Sequence, residues 1–181
     1  MRKSHIWLII AVSLLLMLGV GTTVALLVAS TNTVANTFTI GNVGITLTET
    51  TGNEYKIIPG ATVKKDPVVT VLSGSDSCWL FVKVEKNSTF DSYCTYEVQD
   101  EWTSLPGHEG IYYQKVDSPR ENMTFPILEN NCIRIKDTVT KEQLSILTIH
   151  PILQFTAYGV QSDGVDTAHD AWQIINQGEE E

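Results

Sequence analysis

Trp79-Leu80-Phe81-Val82-Lys83-Val84 is the stretch that decides the fold. It is the most apolar run beyond the N-terminal segment, and its length suits a strand better than a helix. We read it as a central strand. The sequence on either side keeps the same character. Thr37–Leu47 alternates loosely, with Ile40, Val43, Ile45 and Leu47 set among Thr and Gly. Ile57-Ile58 runs into Pro59-Gly60, a tight-turn pair, because Pro presets φ and Gly accepts positive φ. Val63–Leu72 is rich in Val and Thr, which suit a pleated, half-buried surface. Asp66-Pro67 interrupts it, so the strand starts after the proline or lies at an edge. Tyr93–Val98, Gly110–Val116, Ile133–Lys136 and Ile152–Val160 are further strand segments.

Two short helices interrupt this pattern. Thr140-Lys141-Glu142-Gln143 is a capping box, with Val139 and Leu144 at the positions of a hydrophobic staple. Pro151 requires that helix to stop near His150. Ala168, Ala171, Trp172 and Ile175 recur at helical spacing and define the apolar face of a terminal helix, capped by Asp166 or Thr167. Many short strands with turns between them, and only two small helices, predict a mainly β fold: an antiparallel, jelly-roll-like β-sandwich.

The chain ahead of this domain carries no formal charge between Lys3 and Glu49. Arg2 and Lys3, the apolar block Ile6–Val20 and the triplet Thr23-Val24-Ala25 are the parts of a secretory signal peptide, an N-terminal helix removed by cleavage between Ala25 and Leu26. The rival reading is an uncleaved membrane anchor, since Ile6–Ala29 is long enough to span a bilayer. Gly19, Gly21, Thr22 and Thr23 loosen that helix, and no basic stop-transfer cluster follows. The organisation expected is a signal peptide over 1–25, a linking segment over 26–36, one domain over 37–178 and an acidic tail over 179–181. Removing Arg2 and Lys3 leaves 10 basic against 21 acidic residues, a net charge of about −11. Such a surface excludes nucleic acid and anionic lipid as partners, which leaves the membrane as a partner only before cleavage.

The search for chemistry returns mostly negatives. There is no HExxH, no pair of histidines at helical i, i+4 spacing, no GxSxG elbow, no P-loop and no dinucleotide fingerprint. We expect no catalytic residues, no metal and no cofactor. Asp163, Asp166 and Asp170 could collect Ca2+, but turn and cap roles already account for them. His108-Glu109 lies between Gly107 and Gly110 and reads as an exposed turn. Trp79, Phe81, Tyr112, Tyr113, Phe155, Tyr158 and Trp172 could line a groove; in a strand-rich domain most of them are core filling. Asn87-Ser88-Thr89 and Asn122-Met123-Thr124 match the N-glycosylation pattern, which is short enough to arise by chance. Cys78, Cys94 and Cys132 allow at most one intramolecular disulfide, and spacing does not choose the pair.

A family resemblance rests on an ordered set of segments. These are Asn36-Thr37-Phe38-Thr39-Ile40-Gly41-Asn42-Val43, Pro59-Gly60 followed by Lys65-Asp66-Pro67, and Cys78-Trp79-Leu80-Phe81-Val82-Lys83-Val84. After them come Phe155-Thr156-Ala157-Tyr158-Gly159-Val160-Gln161-Ser162-Asp163-Gly164 and Ala171-Trp172. Together they resemble the TasA/camelysin-like exported proteins of Gram-positive bacteria, whose signal peptides are processed by a SipW-type signal peptidase. The resemblance implies a jelly-roll domain secreted to the cell surface or biofilm matrix, with self-association into fibres and a signal peptidase as its partner during export. In that mode Leu26-Leu27-Val28-Ala29-Ser30-Thr31-Asn32-Thr33-Val34 is the strand donated to a neighbouring subunit. Relatives often carry an aromatic residue directly after the cleavage site, where this chain has Leu26-Leu27. The competing expectations are a camelysin-type surface metallopeptidase and a membrane-tethered binding module.

Overall fold

The computed structural model describes residues 36–51 and 57–179, all within a unit that begins at Thr33. The signal segment, the Ala25–Leu26 cleavage site and the donor segment Leu26–Val34 lie outside the described residues.

The described chain is mainly β, with eleven strands and three short helices. Strand β5 (Cys78–Lys86) carries the deciding stretch and stands at the middle of a five-stranded sheet. Its neighbours are β11 (Leu153–Gln161) on one side and β8 (Ile111–Val116) on the other. Beyond β11 lies β1 (Asn36–Ile40), and beyond β8 the two-residue β7 (Thr103–Ser104). Both faces of β5 are covered. Cys78, Leu80, Val82 and Val84 enter one apolar cluster, while Trp79 and Phe81 enter another. Burial on both faces is why the sequence there reads as a continuous apolar run instead of an alternation.

The inner cluster is closed from the other side by two three-stranded sheets. One runs β2 (Ile45–Thr48), β4 (Val68–Val71), β9 (Met123–Pro126); the other runs β3 (Thr62–Lys64), β10 (Leu128–Ile135), β6 (Cys94–Val98). They continue into each other along the chain. Ile127 N–H donates to Pro67 O at 3.0 Å, and Gln99 N–H donates to Ile127 O at 2.9 Å, carrying the pairing across the gap. The break falls at Lys65-Asp66-Pro67 because proline cannot donate to a ladder. Ile45, Leu47, Val69 and Val71 from one sheet and Val63, Ile133 and Ile135 from the other face Leu80, Phe155 and Ala157.

The outer cluster lies on the opposite face of the five-stranded sheet, beneath helix α3 (Ala168–Glu179). The predicted stripe of Ala168, Ala171, Trp172 and Ile175 is buried there, with Trp172 packed 5.3 Å from both the Phe81 and Tyr158 rings. Thr167 caps the helix, accepting from Asp170 N–H at 3.1 Å. Helix α2 (Lys141–Ser145) opens with the full capping box, Thr140 Oγ1 accepting from Gln143 N–H at 3.2 Å and Gln143 Oε1 from Thr140 N–H at 2.8 Å.

Four expectations are corrected. There are three helices, not two, among the described residues: α1 (Phe90–Tyr93) is a single turn holding buried Phe90 and has no length for a periodic signal. Helix α2 stops at Ser145, well before Pro151, because Ile146 and Ile149 beyond it are exposed and no apolar contact rewards further turns of a β-branched segment. Thr37–Leu47 is not one strand. It splits at Gly41–Gly44, where the chain leaves the five-stranded sheet for the opposite layer. The sandwich is also not wholly antiparallel, since β1 runs parallel to β11, with Asn36 opposite Thr156 and Ile40 opposite Val160.

Candidate functional site

Strand β1 is the point at which the uncharged N-terminal stretch enters the domain. It forms one end of the five-stranded sheet, so its outer row of N–H and C=O groups pairs with no described strand. Phe38 stacks on its register partner Tyr158, ring centroids 5.4 Å apart and nearly parallel at 16°. Even so, Phe38 remains 49% exposed and Ile40 39%. The strand is brought to this position by Gly41. Its φ of +87° turns the chain sharply, and a Cβ there would lie 2.5 Å from Gln161 Oε1. Past the turn, Asn42 N–H donates to Gln161 Oε1 at 3.4 Å and Leu72 N–H to Gly44 O at 2.8 Å, anchoring the crossing to the opposite layer. Gly159 on β11 leaves the room: a Cβ there would meet Val43 at 2.8 Å.

Of the other free edges, β6 carries the exposed Glu97, β3 carries Lys64, β9 ends in Pro126 and β7 has two residues, while β2, like β1, carries no charge and exposes only Thr46 and Thr48. Charge and shortness are the usual means by which an edge avoids pairing with another chain. β1 has five residues, no charge and two exposed large apolar side chains.

At the far side of the sandwich, between β6, β8 and β10, lies an open cleft of about 710 Å³. Glu97, Asp100 and Glu129 make its wall acidic, and Tyr112 and the buried Trp102 supply its aromatic surface. Its shape comes from a bulge in β10 between Leu128 and Ile133, where Asn130 and Asn131 take φ of 53° and 50°. Asn is the residue that best tolerates this region after Gly, so the Asn-Asn pair was the available sequence signal, and it was missed.

The remaining candidates have structural employment. Asn87 is a clamp: its Nδ2 donates to His150 O at 2.8 Å and its Oδ1 accepts from Ile152 N–H at 3.0 Å. Asn122 Oδ1 accepts from Ser73 N–H at 2.8 Å. Asp170 Oδ2 accepts from Thr167 Oγ1 at 2.6 Å within the α3 cap, and among the described residues no three His, Cys, Asp or Glu side chains gather as a metal site. Trp79, Phe81, Phe155, Tyr158 and Trp172 are core; Tyr112 and Tyr113 are half-buried.

Cys78, Cys94 and Cys132 are free thiols. Cys78 stands in the five-stranded sheet, whereas Cys94 lies opposite Ile135 on β10, three places from Cys132. That offset is about 10 Å along a strand, beyond the Cα separation a disulfide tolerates. Burial pushes the Cys78 thiol up to about 11; burial, partly opposed by the Lys136 ammonium, does the same for Cys94. Neither is a nucleophile at neutral pH.

One buried charge pair escaped the sequence reading. Lys65 Nζ lies 2.7 Å and 2.9 Å from the two carboxylate oxygens of Glu49, with side-chain exposures of 7% and 11%. Beside it, Asp66 accepts from Thr50 and Thr51 N–H at 2.9 and 3.1 Å and from the Thr50 hydroxyl. Partial burial raises the Asp66 pKa, but these hydrogen bonds outweigh it and hold the carboxyl below its ordinary value.

Comparison with protein-family models, with curated proteins and with solved structures finds no match to this chain.

Proposed function

We propose that this chain is a secreted, non-enzymatic structural protein of the cell surface or extracellular matrix, a TasA/camelysin-like jelly-roll domain. It assembles into fibres by donating residues 26–34 to a neighbouring subunit. Residues 1–25 act as the signal peptide, and cleavage after Ala25 frees the donor segment.

The observation that carries this reading is β1. The chain from Leu26 onward contains no charge and no proline until it reaches an edge strand that is itself uncharged, exposes Phe38 and Ile40, and pairs with no described strand on its outer side. A segment delivered to the protein surface in this way suits strand addition, in which backbone hydrogen bonds supply affinity and alternate side chains set the register. The β-branched content of the donor favours the extended conformation that such pairing needs.

The test compares the chain starting at Leu26 with the chain retaining residues 1–25, using light scattering and negative-stain electron microscopy. The shorter form should polymerise with concentration, and Val28→Asp or Val34→Asp should stop it by placing a charge in the donated strand. A Leu26 form that stays monomeric at high concentration, alone and with cells, overturns the proposal.

A further inference from the structure

We propose that His108 and His169 form a binding site for a late first-row divalent cation of the Zn2+, Ni2+ or Cu2+ class, and that the bound ion clamps the β7–β8 turn to helix α3. The two imidazoles come from distant parts of the chain and meet with ring centroids 5.7 Å apart, inclined at 48°. An ion held at ~2.0–2.1 Å by one nitrogen of each ring places the centroids about 5–6.5 Å apart, depending on the angle at the metal. The observed separation falls inside that window. Imidazole is also the ligand type that these ions favour.

Both rings sit on backbone that is already fixed, so little ordering is left for the ion to impose. His108 stands in a closed turn: Leu105 N–H donates to Ile111 O at 2.9 Å, His108 N–H to Leu105 O at 3.1 Å, and Ile111 N–H to His108 O at 3.3 Å. Gly107 and Gly110 hold that turn with φ of 82° and 76°, and Gly110 has no alternative, because a Cβ there would lie 2.6 Å from Val84 O. His169 occupies the first turn of α3, directly after the Thr167 cap.

The buried Trp172 meets the His108 ring at 6.2 Å, edge to face, and backs the site with an apolar wall. No hydrogen bond from a described residue engages either nitrogen of the His108 ring. One helical turn beyond His169, the Gln173 amide lies 3.1 Å from its Nε2. With that amide turned so that its oxygen accepts from the Nε2–H of His169, it fixes the tautomer as an outer-shell partner and leaves Nδ1 for the ion. Water completes the coordination, which makes this an open site and weaker than one closed by four protein ligands. The site does not depend on the assembly reading, since β1 lies at the other end of the sheet order from β7.

The test titrates Zn2+ into the full chain by calorimetry and thermal unfolding, and Cu2+ by electron paramagnetic resonance. One equivalent of Zn2+ should bind and raise the Tm, and the Cu2+ spectrum should carry the coupling of two imidazole nitrogens. His108→Ala and His169→Ala should each weaken binding about tenfold or more and remove the Tm shift. His150→Ala, an exposed histidine elsewhere, should leave both unchanged. His169 is exposed, so its substitution leaves the fold intact, and far-UV circular dichroism without metal verifies this. Failure of the wild-type chain to bind either ion overturns the proposal. So does binding that survives the double substitution, or a Cu2+ spectrum without two nitrogens.

Discussion

At the scale of single residues, the Glu49–Lys65 pair is the most consequential feature. Both groups are nearly withdrawn from water, so neither is stable there without the other. Glu49→Gln leaves a buried ammonium facing a neutral amide and should cost about 3–5 kcal/mol, measured by chemical denaturation. Glu49→Leu combined with Lys65→Met removes both charges and should recover most of that loss; a double variant as unstable as the single one would refute this account. Asp66 predicts a pH dependence. Its folded pKa lies below 3.8, so its contribution to stability is fully present above pH 3.8 and disappears as the pH falls through the folded value. Asp66→Asn should therefore lower the Tm well above pH 3.8, and the two curves should converge well below it. Parallel curves throughout would show that the Thr50 and Thr51 hydrogen bonds do not bias the carboxylate.

At the scale of elements, β1 and β5 illustrate opposite ways of using a strand. β5 is paired along both edges and covered on both faces, so it should exchange its amides only on global opening. Among the described residues β1 is paired on one edge, its residues 37–40 are exposed, and Phe38 stacks on Tyr158. Hydrogen exchange followed by mass spectrometry should show residues 36–40 exchanging early, while 78–86 and 153–161 remain protected. Equal protection of the three segments would mean that β1 is integral to the core and unsuited to a role at a mobile interface. The α2 segment teaches a related lesson. Its capping box forms in full, yet the helix is one turn long, because a cap starts a helix and only buried side chains extend it.

At the scale of the whole molecule, the five-stranded sheet joins two apolar clusters, one on each face. Neighbouring residues of β5 serve different clusters: Leu80 faces the opposing sheets and Phe81 faces α3. Coupling through one sheet makes the two clusters a single cooperative unit. Leu80→Ala should cost about 2–5 kcal/mol and Phe81→Ala about 3–5 kcal/mol. Each should shift one common transition, seen alike by near-UV and far-UV circular dichroism. Separate transitions after Phe81→Ala would show that α3 and the outer cluster unfold on their own. The same architecture places the β1 edge and the acidic cleft on opposite sides of the sheet order, so a partner strand at β1 leaves the cleft open.

What the sequence by itself determined is local. The apolar run Trp79–Val84 identified the central strand. Pro59-Gly60 marked a turn, Thr140–Gln143 formed its capping box, and the i, i+3, i+4, i+7 stripe found the buried face of α3. These signals depend on neighbours within a few residues, where backbone geometry and side-chain period act directly. Tertiary structure alone decided the parallel pairing of β1, the division of Thr37–Leu47 between two layers, the bulge that opens the cleft and the meeting of Glu49 with Lys65. It also decided the approach of His108 to His169. Each of these joins segments far apart in sequence. Their free energy comes from burial and hydrogen bonding between partners that no local pattern specifies, so they become legible only when the sheets have closed on each other.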